Sequence, residues 1–201
     1  MNRYVGIYGA IGALVIGVLM SLQSQAGVLV EPFVGYDQEK IEATPTVGSD
    51  FTVTNKGLNY GARLGYRFSQ GLWLAGEYTL GHGDSESSQA GASSSTYTKS
   101  IAGAVIGYDV NRFRFWGGYG FSAKSTVKDD SGETDFTGTV LKVGAGYKAL
   151  NRLSLNLEYV IPNFNEFEAG GIKGDISTVF SKFDSSAVSL SLSFPFDLSG
   201  K

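Results

Sequence analysis

The sequence predicts an all-β fold, an eight-stranded antiparallel transmembrane β-barrel behind an N-terminal signal peptide. Three observations predict it: an N-terminus built for export, an apolar–polar alternation of period two that recurs eight times, and connections that are alternately short and long.

Arg3 gives the N-terminus a small positive charge, an apolar run extends from Val5 to Leu22, and Ser24-Gln25-Ala26 supplies the small residues that a signal peptidase reads. The run is near the lower length limit for a membrane-spanning helix, which is the alternative. The small-residue site and the strand-like sequence that begins at once favour cleavage after Ala26. Residues 1–26 are then the signal peptide and 27–201 a single barrel domain.

Composition agrees. Hydrophobic residues make up 42 % and charged residues 17 %, yet nothing after Leu22 is a long apolar run, so the apolar residues are dispersed along strands. With no Cys there is no disulfide framework and no thiolate metal site. Loss of Arg3 leaves 15 basic against 19 acidic residues, a net charge near −4 that argues against nucleic acid as the partner.

The strands follow in order. Val28, Val30, Val34 and Tyr36 oppose Glu31 and Gly35. Leu58, Tyr60, Ala62, Leu64, Tyr66 and Phe68 alternate with Asn59, Gly61, Arg63, Gly65 and Arg67. Leu72, Leu74, Tyr78 and Leu80 oppose Glu77 and Thr79, and Ala102, Ala104, Ile106, Tyr108 and Val110 form the next face. Phe113, Phe115, Tyr119 and Phe121 oppose Arg114, Trp116, Gly118 and Gly120. Leu141, Val143, Ala145 and Tyr147 come sixth, and Leu153, Leu155, Leu157, Tyr159 and Ile161 seventh, against Ser154, Asn156 and Glu158. Val188, Leu190, Leu192, Phe194 and Phe196 come last, against Ser189, Ser191 and Ser193. Successive side chains on a strand point to opposite faces, so each strand has one apolar and one polar or empty face.

A soluble sheet turns its apolar face to a core; a transmembrane barrel turns it to lipid. The polar faces here are rich in Gly and Ser, not in the Lys and Glu that cover soluble sheets. Aromatics gather at two levels: Tyr66, Phe68, Tyr108, Phe113, Tyr147 and Phe196 at one rim, Tyr60, Tyr78, Phe121 and Tyr159 at the other. From Tyr60 to Phe68, 8 steps at ~3.3 Å and ~45° tilt span about 19 Å, which suits two girdles around a hydrocarbon band of about 25 Å.

Ser69-Gln70-Gly71, Asn111-Arg112 and the stretch from Ala149 to Arg152 read as tight turns, whereas 41–54, 82–96, 128–134 and 163–184 read as long polar loops. That is the asymmetry of short periplasmic turns and longer extracellular loops, with both termini in the periplasm. Gly65-Tyr66, Gly107-Tyr108 and Gly146-Tyr147, 42 and 39 residues apart, mark a weak repeat, each pair closing a strand before a turn.

Val30-Glu31-Pro32-Phe33-Val34-Gly35-Tyr36, Gly61-Ala62-Arg63-Leu64-Gly65-Tyr66-Arg67-Phe68 and the alternating C-terminal strand resemble the small OmpA/OmpX-like outer-membrane β-barrel family. The resemblance covers essentially the whole chain after the leader, and its motifs are short and degenerate. It implies residence in the outer membrane of a Gram-negative-type cell, a lipid bilayer as surroundings, and handling by the barrel-assembly machinery, which reads a terminal aromatic. Phe194 and Phe196 fit that signal, and Asp197 to Lys201 trail behind it.

By parity Glu31, Arg63, Arg67, Glu77, Arg114, Lys142, Lys148 and Glu158 all point into the lumen. An eight-stranded barrel is just wide enough for side chains to fill, and charges enclosed there must pair. Arg63 is expected at the height of Glu31 and Glu77 on the flanking strands. Such a lumen charge network is either a gate or a structural plug; the narrow bore favours the plug.

His82 is the single histidine, with Asp84, Ser85 and Ser87 nearby, so a Ser/His/Asp set can be assembled on paper. A working triad needs fixed geometry, which a Ser-rich loop does not supply. Asp129, Asp130 and Glu133 fall short of the oxygen ligands of a Ca²⁺ loop. No catalytic residue, cofactor or metal site is read, and the chain is not expected to be an enzyme. The segment 163–184 carries Phe164, Phe167, Ile172, Ile176, Val179, Phe180 and Phe183 among charges. These residues either make a surface contact, with 82–96 as a second candidate for binding a surface ligand, or pack over the barrel mouth. A structural or surface-interaction barrel (adhesion or binding) is the leading expectation, a narrow channel for ions or small solutes the alternative, and an outer-membrane hydrolase a distant third.

Overall fold

The computed structural model describes residues 27–88, 95–129 and 132–198. The expected signal peptide lies outside the described residues, as does Asp130.

Alternation becomes architecture directly. Strand β1 (Gly27–Pro45) pairs antiparallel with β2 (Phe51–Arg67), and the meander runs on through β3 (Leu72–Ser87), β4 (Ser95–Val110), β5 (Phe113–Asp129), β6 (Gly132–Leu150) and β7 (Leu153–Ala169). A short β8 (Ile172–Asp175) folds back on β7, and α1 (Ile176–Val179) is a single turn. Then β9 (Phe180–Ser193) pairs with both β7 and β1, and β10 (Phe196–Leu198) continues along β1. Together β9 and β10 make the eighth passage, and the sheet closes into a ring.

The faces are those of a barrel turned inside out. Leu64 is 63 % exposed and Leu190 55 %, while Glu31 and Arg114 are 0 % exposed. A soluble barrel would show the reverse. Tyr60, Tyr66, Tyr78, Tyr108, Phe113, Tyr147 and Tyr159 all stand outward on the two rims.

The turns match their residues. In the β2–β3 turn the Phe68 amide donates to Leu72 O at 2.8 Å and the Gly71 amide to Phe68 O at 3.1 Å. Gly71 has φ +87°, and a Cβ there would stand 2.3 Å from Asp109 O, so only glycine fits. Asn111, at φ 53°, takes the left-handed position of the β4–β5 turn, which Asn tolerates.

Four expectations need correction. Among the described residues, the regions 41–54, 82–96, 128–134 and 163–184 are largely strand: β1 runs to Pro45, β3 to Ser87, β5 to Asp129 and β7 to Ala169. Beyond the bilayer both faces of a hairpin can be polar, so pairing continues after the hydrophobic signal has stopped. Phe68 is buried, 6 % exposed, because β2 ends at Arg67 and the turn carries the ring off the lipid face. The last strand is broken at Phe194-Pro195, where proline has no N–H for the ladder, although the Phe194 amide still donates to Pro32 O at 2.9 Å. Finally, β5 carries a bulge at Phe121-Ser122, which shifts its parity so that Ala123 and Ser125 face inward above it.

Candidate functional site

The lumen is filled in layers, and strand parity places each member. Nearest the short turns, Asp109 at the end of β4 gathers three cations: Lys148 Nζ at 2.6 Å, Arg67 Nη2 at 3.2 Å and Arg114 Nε at 3.3 Å. Trp73 Nε1 donates to it at 3.0 Å, and Arg67 also reaches Asp197 of β10 at 2.6 Å. Arg114 grips Glu31 with two bonds of 2.6 and 2.8 Å, the bidentate fork that guanidinium and carboxylate favour.

Arg63 sits at the centre. The register puts it opposite Glu31 on β1 and Glu77 on β3. Its Nε donates to Glu77 at 2.7 Å, its Nη1 lies 3.5 Å from Glu31, and its Nη2 pairs with Glu158 of β7. Lys142 of β6 pairs with Glu77 and stands 3.9 Å from Glu158, to which Trp116 Nε1 also donates at 2.8 Å. The Arg63 guanidinium lies 4.8 Å from the Trp116 ring centroid and 5.3 Å from that of Phe33. All eight residues read from parity therefore line the lumen, and they fall into these two linked layers.

Above them the walls become apolar: Ile101, Ala123, Val140, Val160 and Ala187 form a buried cluster against which Phe164 packs. On the opposite wall Asp37 pairs with Lys99 and receives the Tyr97 hydroxyl at 3.3 Å. Glu39 accepts from Ser185 at 2.7 Å and from Asn55 at 3.2 Å. Asp37, Glu39, Lys99 and Asp109 escaped the sequence reading. Asp37 and Asp109 obey the same parity rule: Asp37 is one residue beyond the apolar face that ends at Tyr36, and Asp109 lies between the outward Tyr108 and Val110. With them the lumen holds Glu31, Asp37, Glu39, Glu77, Asp109 and Glu158 against Arg63, Arg67, Lys99, Arg114, Lys142 and Lys148, six of each sign.

The remaining candidates scatter. His82, on β3 rather than in a loop, is exposed beside Tyr60, with ring centroids 6.3 Å apart, whereas Ser85 is buried on the other face. Asp129 accepts the Gly132 amide at 3.0 Å, and Glu133 is exposed opposite Lys128. In the same hairpin burial pushes the Asp135 carboxyl up, but hydrogen bonds from Lys124 and Thr126 outweigh it and hold it below its ordinary value. Within 163–184, Phe164 and Phe183 pack together near the mouth, while Ile172, 72 % exposed, and Val179 stay at the surface.

The model of the outer membrane protein beta-barrel domain matches residues 13–196. The chain belongs to this family. It is an integral β-barrel of the outer membrane of a Gram-negative-type cell, and the lipid bilayer surrounds its apolar face. No curated protein matches the sequence. Among solved structures this outer-membrane barrel is similar to Ail, the attachment invasion locus protein of Yersinia pestis, in complex with the heparin analogue sucrose octasulfate. The identity is 12 %, the TM-score 0.56, and the match covers 85 % of this chain and 99 % of that one. It is also similar to outer membrane protein OprG from Pseudomonas aeruginosa, with 11 % identity and a TM-score of 0.54 over 87 % and 98 % of the two chains. A third is the outer membrane protein AlkL in lipid bilayers, with 17 % identity and a TM-score of 0.52 over 87 % and 92 %. At such identities the likeness establishes the fold.

Proposed function

We propose that this barrel is a surface-binding protein: a non-conducting membrane anchor that presents its extracellular hairpins to a partner. The observation that carries the reading is the balanced lumen. Five of the six acids pair with the six bases across a bore that side chains fill, and Glu39 is held by Ser185 and Asn55, so the network acts as a plug and leaves no continuous water path. Function then resides outside, and no catalytic role is assigned.

The hairpins beyond the apolar band carry Glu42, Asp50, Asp84, Glu86, Asp129, Glu133, Asp135, Glu166, Glu168, Asp175 and Asp184 against Lys40, Lys56, Lys124, Lys128, Lys173 and Lys182. An acidic surface steers cationic partners and repels polyanions. The partner fitted to this chain is therefore basic, unlike the sulfated ligand held by the Ail structure. Retention of cells displaying the full chain on immobilised poly-lysine and on heparin tests this. Salt-sensitive retention on poly-lysine alone is expected; retention on heparin alone, or on neither, would overturn it.

Two processing steps belong to the same reading. The leader is removed after Ala26, at the small residues Ser24-Gln25-Ala26. The barrel-assembly machinery takes the outward Phe194 and Phe196 as its terminal signal, Phe196 on β10 and Phe194 just before it.

A further inference from the structure

The upper layer of the lumen is one cation short. In the layer below, Arg63 and Lys142 answer Glu77 and Glu158, and nearer the turns three cations gather on Asp109. Above them Asp37 takes both Lys99 and the Tyr97 hydroxyl. Glu39, two residues on along the same inward face of β1, is left with neutral partners: the Ser185 hydroxyl at 2.7 Å and the Asn55 side-chain amide at 3.2 Å. Among the described residues no cation pairs with it. Glu39 is 2 % exposed, so it is a buried carboxylate without a counter-ion, which is costly.

Its neighbours add acceptors. Asn55, 0 % exposed and opposite Glu39 in the β1–β2 register, spends its amide N–H on the carboxylate, and its Oδ1 accepts from no described donor. Ser185 spends its O–H on the carboxylate and keeps its lone pairs. Three strands thus bring a carboxylate, an amide oxygen and a hydroxyl oxygen together around one surplus negative charge. A primary ammonium brings one positive charge and three N–H donors, which matches this set. A guanidinium wants both oxygens of a carboxylate side by side, and here Oε1 is already taken by Ser185 and Oε2 by Asn55. A calcium ion wants six to eight oxygen ligands, more than the three offered.

The site is reached from outside the wall. Strands β7 and β9 pair from Ser154↔Ser193 up to Val160↔Ala187 and no further. Above that rung Ser185, although on the inward face of β9, lines an outer depression of about 700 Å³. The lipid-side end of the depression carries Tyr119 and Tyr159, and the solvent-side end Lys40, Glu42, Asp184 and Ser186, with Lys40 held by Glu42 at 2.7 Å. An ammonium entering from the solvent side meets polar groups before the Ser185 hydroxyl, which touches Glu39 directly. From the mouth it would meet buried Ile41 and Ala43, the next inward residues of β1.

We propose that Glu39, Asn55 and Ser185 form a socket for a single primary ammonium group, borne by a small amine or by a lysine side chain of the basic partner. The socket deepens the surface-binding reading and rests on it for the owner of the lysine.

The test is the urea midpoint of the full chain refolded in phospholipid vesicles, with methylammonium chloride as the probe. Tetramethylammonium chloride, which carries the charge but no N–H, is the control at equal ionic strength. A ligand held by the folded state alone raises the midpoint with its concentration. A rise with methylammonium and none with tetramethylammonium is expected. E39Q keeps the shape and an acceptor but loses the charge, and should abolish the rise, whereas E86Q, which removes an exposed acid of the β3 hairpin, should leave it intact. No rise in the wild type, or a rise that E39Q retains, would overturn the socket. Should E39Q fail to assemble, N55A decides: a response that needs several-fold more methylammonium supports the socket, and an unchanged response refutes it. Nα-acetyl-lysine amide in place of methylammonium separates the two sources: a rise that depends on Glu39 marks a partner's lysine, and a response to methylammonium alone marks a free amine. Cells retained on poly-lysine although methylammonium has no effect would refute the socket and leave the surface-binding reading standing.

Discussion

Replacing Arg63 with alanine attacks the lumen at its most connected point. Arg63 is 2 % exposed and serves three carboxylates, Glu31, Glu77 and Glu158. Removing one partner of a buried pair costs roughly 3–5 kcal/mol. Here each carboxylate keeps another cation: Glu31 keeps Arg114, and Glu77 and Glu158 keep Lys142. That places R63A near the low end, at about 3 kcal/mol, with the contact to the Trp116 ring as part of it. Urea unfolding in phospholipid vesicles measures the loss. Trp73 and Trp116, the only tryptophans, both lie within 6 Å of the guanidinium, at 5.9 and 4.8 Å, so fluorescence reports on the site itself. In a double-mutant cycle with Glu77→Ala a coupling of about 1–2 kcal/mol is expected. Strict additivity, or a loss no greater than the ~1 kcal/mol of a surface ion pair, would refute the network.

The other predictions cover the remaining parts of the account. Leu64→Arg puts a charge on the lipid face and should cost about 2–4 kcal/mol in the same vesicle titration; unchanged stability would mean that Leu64 does not meet lipid. Asp109→Ala leaves Lys148 without a carboxylate, while Arg67 keeps Asp197 and Arg114 keeps Glu31, and should destabilise by about 3 kcal/mol, more than Asp109→Asn, which keeps an acceptor. Gly107→Val builds a Cβ 2.2 Å from the Trp73 ring and should cost about 1–3 kcal/mol by overpacking, read as a lower urea midpoint. N-terminal sequencing of protein from purified membranes should begin Gly27-Val28-Leu29, and recovery of Met1 would refute cleavage.

Most of the barrel was legible because lipid and lumen impose opposite demands on neighbouring residues. Leu64 beside Arg63, or Leu157 beside Glu158, reveals both faces at once, and the eight lumen residues followed from parity alone. What escaped lies where that contrast fades. Above Tyr36 the outward residues of β1 turn polar, so Asp37 and Glu39 looked like the start of a loop although the strand continues to Pro45. Asp109 sits one residue before Val110 at a turn, where a single alternation is too short to be noticed. The bulge at Phe121-Ser122 and the parting of β7 from β9 depend on how distant strands meet, and no local pattern records them. Phe68 was misplaced because turns do not obey the period of the strand before them.

The central claim is a membrane barrel whose lumen is closed by its own paired charges. Single-channel recording on the refolded protein in a planar bilayer tests it most directly. The paired network predicts a flat trace across the voltage range for wild type, and no new conductance for R63A despite its lower stability. Discrete, reproducible current steps from the wild-type barrel would contradict it.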